Sequence, residues 1–387
     1  MEDRSVVKTQ LVILFSLLTF SQTCEEKSKY SPTELSLIFT ASVNGEVEPC
    51  GCKTGPSGGL ARKAAYINKL RSEGKQAIIL DSGDLFFQKE YLSDSTRNEM
   101  AAKASLIVDA FNEMSTTAIN IGDDDFILGL DYLLSLRDRA KFHFISSNIY
   151  SAEYNKPIFE EYVIWSNNGF KVGIIGLAWN SGNYPESVIV QDPTISAKKV
   201  IAKIRNKVDL IIALTHMPLK VEAALADSIA DVDLFIGGHD GKGMIKPKLV
   251  NERGIYKAGN EGESLGIIEL KLTNRRKNIN EITAKLLNLR RVEVNLSRLE
   301  ESLRGKTREK IYEDNKQDAA KLEELKAKKL KISEEIRGYP NTASFSLLKL
   351  TYEYPSDEII ESFVNDYRSH FPITAQEDEV VEELLFE

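Results

Sequence analysis

Short apolar runs recur along the first two-thirds of the chain, and between them apolar residues repeat at helical spacing. Runs at 35–40, 77–80, 118–121, 142–146, 171–177, 210–214 and 234–236 predict strands. Segments such as Val172-Gly-Ile-Ile-Gly-Leu have no polar side, which predicts strands buried on both faces. Helices are predicted over 60–72, where Leu60, Ala64, Ile67 and Leu70 share one side, and over 99–114, 129–137, 194–206 and 220–229. The stretches 256–258 and 265–272 read as closing strands. This alternation implies an α/β fold in which helices cover a layered sheet.

The pattern changes near residue 272. Residues 271–277 are basic and polar, 282–289 form a short apolar stretch, and 295–337 are highly charged with strong helix formers. Leu322, Leu325, Ile332 and Ile336 make a partial heptad interrupted by Lys329. A long solvated helix or a helical hairpin is expected, with a coiled-coil dimer through 295–337 as the sharper alternative. Tyr339-Pro340 ends the helix. A strand is then expected at 347–354, a helix at 356–368 and an acidic tail at 377–387.

The first residues carry a different signature. Arg4 and Lys8 precede an apolar run at 11–20, too short to span a bilayer and typical of a secretory signal peptide. Cys24 follows where a bacterial lipoprotein would be cleaved and acylated, which makes it the candidate lipidation site. The alternative is cleavage nearby with Cys24 left free or removed. The expected organisation is a signal peptide at 1–24, a tether at 25–34, a main domain at 35–277 and a helical extension at 278–387. The product would be exported, either periplasmic or anchored to a membrane as a lipoprotein.

Composition adds little except by exclusion. Among 387 residues the formal net charge is −8, which argues against a nucleic-acid partner, since that needs a basic face. Of the three cysteines, Cys50 and Cys52 remain as a pair once Cys24 is set aside.

Candidate chemistry lies where the strands end. The chain has four histidines, and two of them, His216 in Leu-Thr-His and His239 in Gly-Gly-His, each close an apolar run. Asp84 in Ser-Gly-Asp and Asp123 in Ile-Gly-Asp follow the same grammar of buried strand, glycine and ligand-type side chain. Two carboxylates and two imidazoles suit a divalent metal such as Zn, Mn or Fe. His143 and His370 stand in no motif and read as ordinary.

These segments resemble the calcineurin-like metallophosphoesterases, in particular the periplasmic 5′-nucleotidase (UshA-like) branch. The resemblance rests on Ser42-Val-Asn44-Gly45, Gly83-Asp84, Gly122-Asp-Asp-Asp-Phe126 and Gly129, Thr215-His216, and Gly237-Gly-His239-Asp-Gly241. Ser147-Asn148, 168–176 and 258–266 also fit, so it covers about residues 35–272 in order. It implies a layered αββα metallophosphoesterase sandwich with a helical C-terminal extension, acting as a hydrolase on a small phosphorylated or other anionic substrate. It also implies the metal ligands Asp84, Asp123, His216 and His239. The family's other metal site falls on Ser42, Asn44, Asp84 and Gly241, where three of four ligands have been replaced. The family's catalytic histidine falls on Asp124, which is the candidate for proton transfer.

A Glu-Pro-Cys-Gly-Cys segment with Cys50 and Cys52 is similar to a branch in which selenocysteine can replace cysteine. Three readings stand side by side: reactive thiols on the same fold, ligands completing the depleted metal site, or a structural disulfide. Without metal or thiol chemistry, the chain would be a non-catalytic surface lipoprotein. Glycines 55, 58 and 59 precede a helix and could form an anion nest, with Arg62 and Asn44 as candidate substrate-binding residues, or simply make a glycine turn with a surface arginine.

Overall fold

The computed structural model describes residues 33–50, 55–88, 93–274, 277–304 and 316–372. The expected signal peptide, Cys24, Cys52 and the acidic tail lie outside the described residues. So does the side chain of Cys50.

Two sheets stack face to face. The first has the order β16-β17-β15-β1-β4-β5-β6. Its strands are β1 (Thr33–Thr40), β4 (Ala77–Asp81), β5 (Ala118–Asn120), β6 (His143–Ile145), β15 (Ser264–Leu272), β16 (Asn280–Glu281) and β17 (Asn341–Lys349). The second has the order β13-β14-β12-β11-β9-β8. It comprises β8 (Tyr162–Asn167), β9 (Phe170–Ala178), β11 (Leu210–His216), β12 (Leu234–Gly237), β13 (Lys248–Val250) and β14 (Arg253–Lys257). Two small ribbons complete the set: β2 (Pro49–Cys50) with β3 (Ser57–Gly58), and β7 (Ile149–Ser151) with β10 (Val188–Val190).

Leu37, Phe39, Ile78 and Leu80 from the first sheet meet Ile174, Ile212, Leu214 and Ile236 from the second. The outer face of the first sheet is covered by α1 (Leu60–Ser72), α2 (Asp94–Glu113) and α3 (Leu130–Arg139). The outer face of the second is covered by α4 (Pro193–Ile204) and α5 (Leu219–Ser228). This is the αββα sandwich. Strands such as β11, buried at every residue, lie between two apolar layers, which explains their unbroken apolar runs.

The C-terminal region closes back on this body. Helix α6 (Thr283–Ser302) starts well before the expected 295 and absorbs the apolar stretch at 282–289. It packs against α7 (Lys316–Gly338) as a helical hairpin. The partial heptad is filled from within the chain: Leu325 and Ile332 cluster with Val292 and Leu296, flanked by Leu289, Leu299, Leu322 and Ile336. The expected strand at 347–354 is shifted. It runs over 341–349 as β17, because Asn341 through Lys349 pair residue by residue with β15. Helix α8 (Glu358–His370), capped by Asp357 at the amides of Ile359 and Ile360, then packs its Ile360, Val364 and Tyr367 into the core under α1 and α2.

Strand β8 had no counterpart in the expected elements. It forms an antiparallel pair with β9 across Asn168-Gly169, both at positive φ. Among the described residues, no helix is long and apolar enough to cross a membrane.

Leu214 is fully buried between the sheets. Leu214→Ala should cost about 2–5 kcal/mol, read as a lowered denaturant midpoint at unchanged slope.

Candidate metal centre

The strand ends carry the site. Asp84 follows β4, Asp123 follows β5, His216 ends β11 and His239 follows β12. Each residue offers one ligand atom, and these four atoms lie within 4.8 Å of one another. Asp84, Asp123 and His216 are buried, while a quarter of the His239 side chain stays accessible and opens the cluster to solvent.

His216 is the best-defined member. Its Nδ1 donates to the Ser82 carbonyl at 3.0 Å, so Nε2 presents its lone pair to the cluster when the ring is neutral. That Nε2 lies 2.7 Å from Asp84 Oδ2, 3.7 Å from Asp123 Oδ1 and 3.3 Å from His239 Nδ1. Asp84 Oδ1 is held by the amide of Asp124 at 2.9 Å.

The glycines of the motif now have a reason. A Cβ on Gly122 would sit 2.1 Å from Asp84 Oδ1, and one on Gly238 would sit 2.9 Å from His216 Nδ1. Side chains there would push the ligands apart. Ser42, Asn44, Asp84 and His239 all adopt positive φ, so non-glycine residues in a strained conformation gather at this site.

Asp125 was not singled out from the sequence, yet it organises the site. Fully buried, it accepts hydrogen bonds from the amides of Asp84, Leu85, Phe86 and Gly122 at 2.8–3.2 Å. It therefore ties the Asp84 loop to the Asp123 loop. Burial and the neighbouring Asp84 push its carboxyl up to about 8, opposed by those amides. The signal available was only a third consecutive aspartate.

The loop after β9 was also missed. Ser181 and Asn183 donate to Asp123 Oδ2 at 2.8 and 3.0 Å, leaving Oδ1 toward the histidines. Burial alone would raise the Asp123 carboxyl, but Asn183, Ser181 and His216 outweigh it and hold it below its ordinary value. Trp179 meets the His239 ring edge-on at 5.6 Å. Tyr184 packs edge-on against Phe126, and its buried hydroxyl has no hydrogen-bond partner. Burial and the charges of Asp123, Asp84, Asp125 and Asp124 raise its ionisation well above normal, so it stays a neutral donor beside the carboxylates. Polar residues on an irregular loop carry no periodicity, which is why neither contact was legible.

The remaining candidates fall at different distances from this chemistry. Asp124 is half-buried in the short 3-10 turn Asp124–Phe126, next to the cluster but outside the four. The backbone N–H of Asn44 donates to the Asp84 carbonyl at 2.9 Å and so shapes the Asp84 turn. The amide of His239 donates to Ser42 Oγ at 3.3 Å. Arg62 uses Nη1 on the carbonyls of Pro56 and Leu350, both at 3.2 Å, which ties the glycine loop to the C-terminal segment.

The donor set fits a divalent cation. Burial alone would lower the His216 pKa, but Asp84, Asp123 and Asp125 raise it to about 9: the carboxylates demand a positive charge at this point. Burial and His216 lower His239, keeping it neutral and able to ligate.

No family model matches the chain. It is 28% identical over 259 residues to a 2′,3′-cyclic-nucleotide 2′-phosphodiesterase/3′-nucleotidase of Salmonella typhimurium, covering 56% of this chain and 39% of that protein. The structure of a 5′-nucleotidase precursor from Thermus thermophilus superposes with a TM-score of 0.63 at 18% identity, over 88% of this chain and 59% of that one. A calcineurin-like phosphoesterase, YfkN from Bacillus subtilis, superposes with a TM-score of 0.52 at 24% identity, over 63% of this chain and 86% of that one. The fold is that of the calcineurin-like phosphoesterases, and the sequence is similar to nucleotidases and nucleotide phosphoesterases. The chain spans 39% of the Salmonella relative and half of a Vibrio 5′-nucleotidase relative.

The charge balance sets a pH dependence. His216 rises from 6.5 to about 9 in the metal-free fold, so it contributes stability that is complete below 6.5 and lost as pH rises through about 9. A cation must displace that proton. Metal affinity, measured by chelator competition, should therefore rise about tenfold per pH unit between 7 and 8.5 and level off above 9. A flat profile would contradict this assignment.

Proposed function

We propose that this chain is an exported, metal-dependent hydrolase of phosphate esters whose metal is held by Asp84, Asp123, His216 and His239. The observation that carries the reading is the convergence of four ligand atoms within 4.8 Å, from four separate strand ends, on a metallophosphoesterase fold. Export rests on the sequence of residues 1–24 alone.

We read the centre as holding a single metal. The positions that resemblance assigns to a second cation carry Ser42, Asn44 and Gly241, none of which offers a carboxylate or an imidazole. Ser42 Oγ instead accepts the backbone N–H of His239. A divalent cation of the Zn, Mn or Fe class would supply Lewis acidity, polarising a phosphoryl oxygen and making water a better nucleophile at neutral pH.

The protein's own part is orientation and protons. Ser82 fixes the His216 ring, and Ser181 with Asn183 fixes Asp123, so both present one defined atom to the centre. Tyr184 stays a neutral, buried hydroxyl near the carboxylates and adds no charge to the centre. Asp124 is the candidate for moving a proton. The substrate class is a small phosphorylated molecule, with nucleotides and cyclic nucleotides the first to assay.

His216→Ala and His239→Ala should each abolish tight metal binding by elemental analysis, and hydrolysis of a phosphomonoester and phosphodiester panel should fall at least about 100-fold. Full metal occupancy in either variant would defeat the assignment.

A further inference from the structure

A second buried cluster sits directly behind the two histidines, and nothing in the proposed chemistry uses it. Thr215, Gly237 and Lys257 lie in one row across β11, β12 and β14, paired Thr215 to Gly237 and Gly237 to Lys257. The next turns of β11 and β12 carry the metal-centre histidines. Lys257 is buried with 2% exposure, which for an ammonium demands partners on every side.

Those partners are informative. Lys257 Nζ donates to the carbonyl of Gly238 at 2.8 Å, to the carbonyl of Met217 at 3.2 Å and to Asp240 Oδ2 at 2.6 Å. Glu222 Oε2 lies 3.3 Å away. Met217 directly follows His216, and Gly238 directly precedes His239. One ammonium therefore grips both histidine turns. Asp240 adds a brace, because the same Oδ2 accepts the amide of Leu219 at 2.9 Å at the head of α5.

The peptide between Gly238 and His239 is pinned at both ends. Lys257 holds its carbonyl oxygen, and Ser42 Oγ accepts its N–H at 3.3 Å. His239 sits at φ +76, a conformation that a side-chain-bearing residue keeps only when its surroundings over-determine it. The counter-charge is also built in. Glu222 reaches down from α5 over Gly237, where a Cβ would lie 2.4 Å from Glu222 Oε1, and Thr215 Oγ1 donates to that same oxygen.

We propose that Lys257 is a positioning residue of the metal centre: its ammonium sets the His216 and His239 turns in register, and metal affinity depends on that grip. The inference rests on the metal-centre reading above. The ammonium of Lys257 is spent on the two carbonyls, Asp240 and Glu222, so it acts through the histidine turns. Glu222 and Asp240 balance its charge, with Glu222 serving the ammonium and not the histidines.

The experiment measures Zn²⁺ affinity by chelator competition at fixed pH, alongside circular dichroism and thermal unfolding. Lys257→Met alone would leave buried carboxylates unpaired, so the main variant is Lys257→Met with Glu222→Gln, which removes both charges. This double variant should stay folded and bind Zn²⁺ about 10–100-fold more weakly than the parent. Glu222→Gln alone keeps the grip and should bind within about threefold of the parent. Lys257→Gln with Glu222→Gln retains a donor for one carbonyl and should fall between them; it also serves as the test if the methionine variant does not fold. Parental affinity in either folded double variant would overturn the proposal. A parent protein that binds no Zn²⁺, Mn²⁺ or Fe²⁺ would overturn the metal-centre reading instead, which keeps the two failures distinct.

Discussion

The structure depends on like charges brought together out of water. Asp84 and Asp123 converge in a buried space between two loops, beside the buried Asp125 and the imidazoles of His216 and His239. Two carboxylates about 4 Å apart at an effective dielectric of 20 repel by about 4 kcal/mol, and burial adds desolvation. Each finds a different remedy. Asp125 takes four backbone amides, Asp123 takes Ser181 and Asn183, and Asp84 takes the Asp124 amide and the His216 ring. The remaining deficit falls on His216, whose proton is held far more tightly than in water. A divalent cation satisfies the same deficit more completely than a proton, which is why the arrangement reads as a metal centre and not as a set of ion pairs.

The fold exists to place four strand ends at one edge. Two sheets packed through Leu37, Phe39, Ile174, Ile212 and Leu214 fix the ends of β4 and β5 opposite those of β11 and β12. The glycines at those ends admit the ligands at distances no side chain would allow. Lys257, inside the second sheet, extends the same logic to the backbone of the histidine turns.

Much of this was legible in the sequence because the relevant signals are local. A short apolar run such as Leu210 through Leu214 between predicted helices points to a strand buried on both faces, and a ligand-type residue at the end of such a run marks the sheet edge. The four candidate ligands followed from that grammar, and the fold brings them together. Asp125 did not, since its role is to receive amides from residues about 40 positions away. Ser181, Asn183 and Tyr184 lie on a loop without periodicity. Strand β8 was legible in principle, since Asn168-Gly169 is a hairpin signal between two apolar runs. The C-terminal strand was displaced because its pairing with β15, and not its own alternation, decides where it begins. Arg62 shows what a local pattern leaves out: its Nη1 donates to the carbonyl of Leu350, a partner 288 positions away that no glycine-rich segment announces.

The relatives separate fold from activity. Their architecture is present here, while the chain spans 39% of the Salmonella relative and half of the Vibrio one, and on the family resemblance Ser42, Asn44, Asp124 and Gly241 stand where metal ligands and the catalytic histidine are expected. The central claim is thus one cation held by Asp84, Asp123, His216 and His239. Anomalous diffraction from crystals grown with Mn²⁺ or Zn²⁺ tests it most directly. One strong peak is expected within bonding distance of those four side chains. Two peaks about 3.5–4 Å apart, the spacing of a two-metal site, or no peak at these residues, would contradict it.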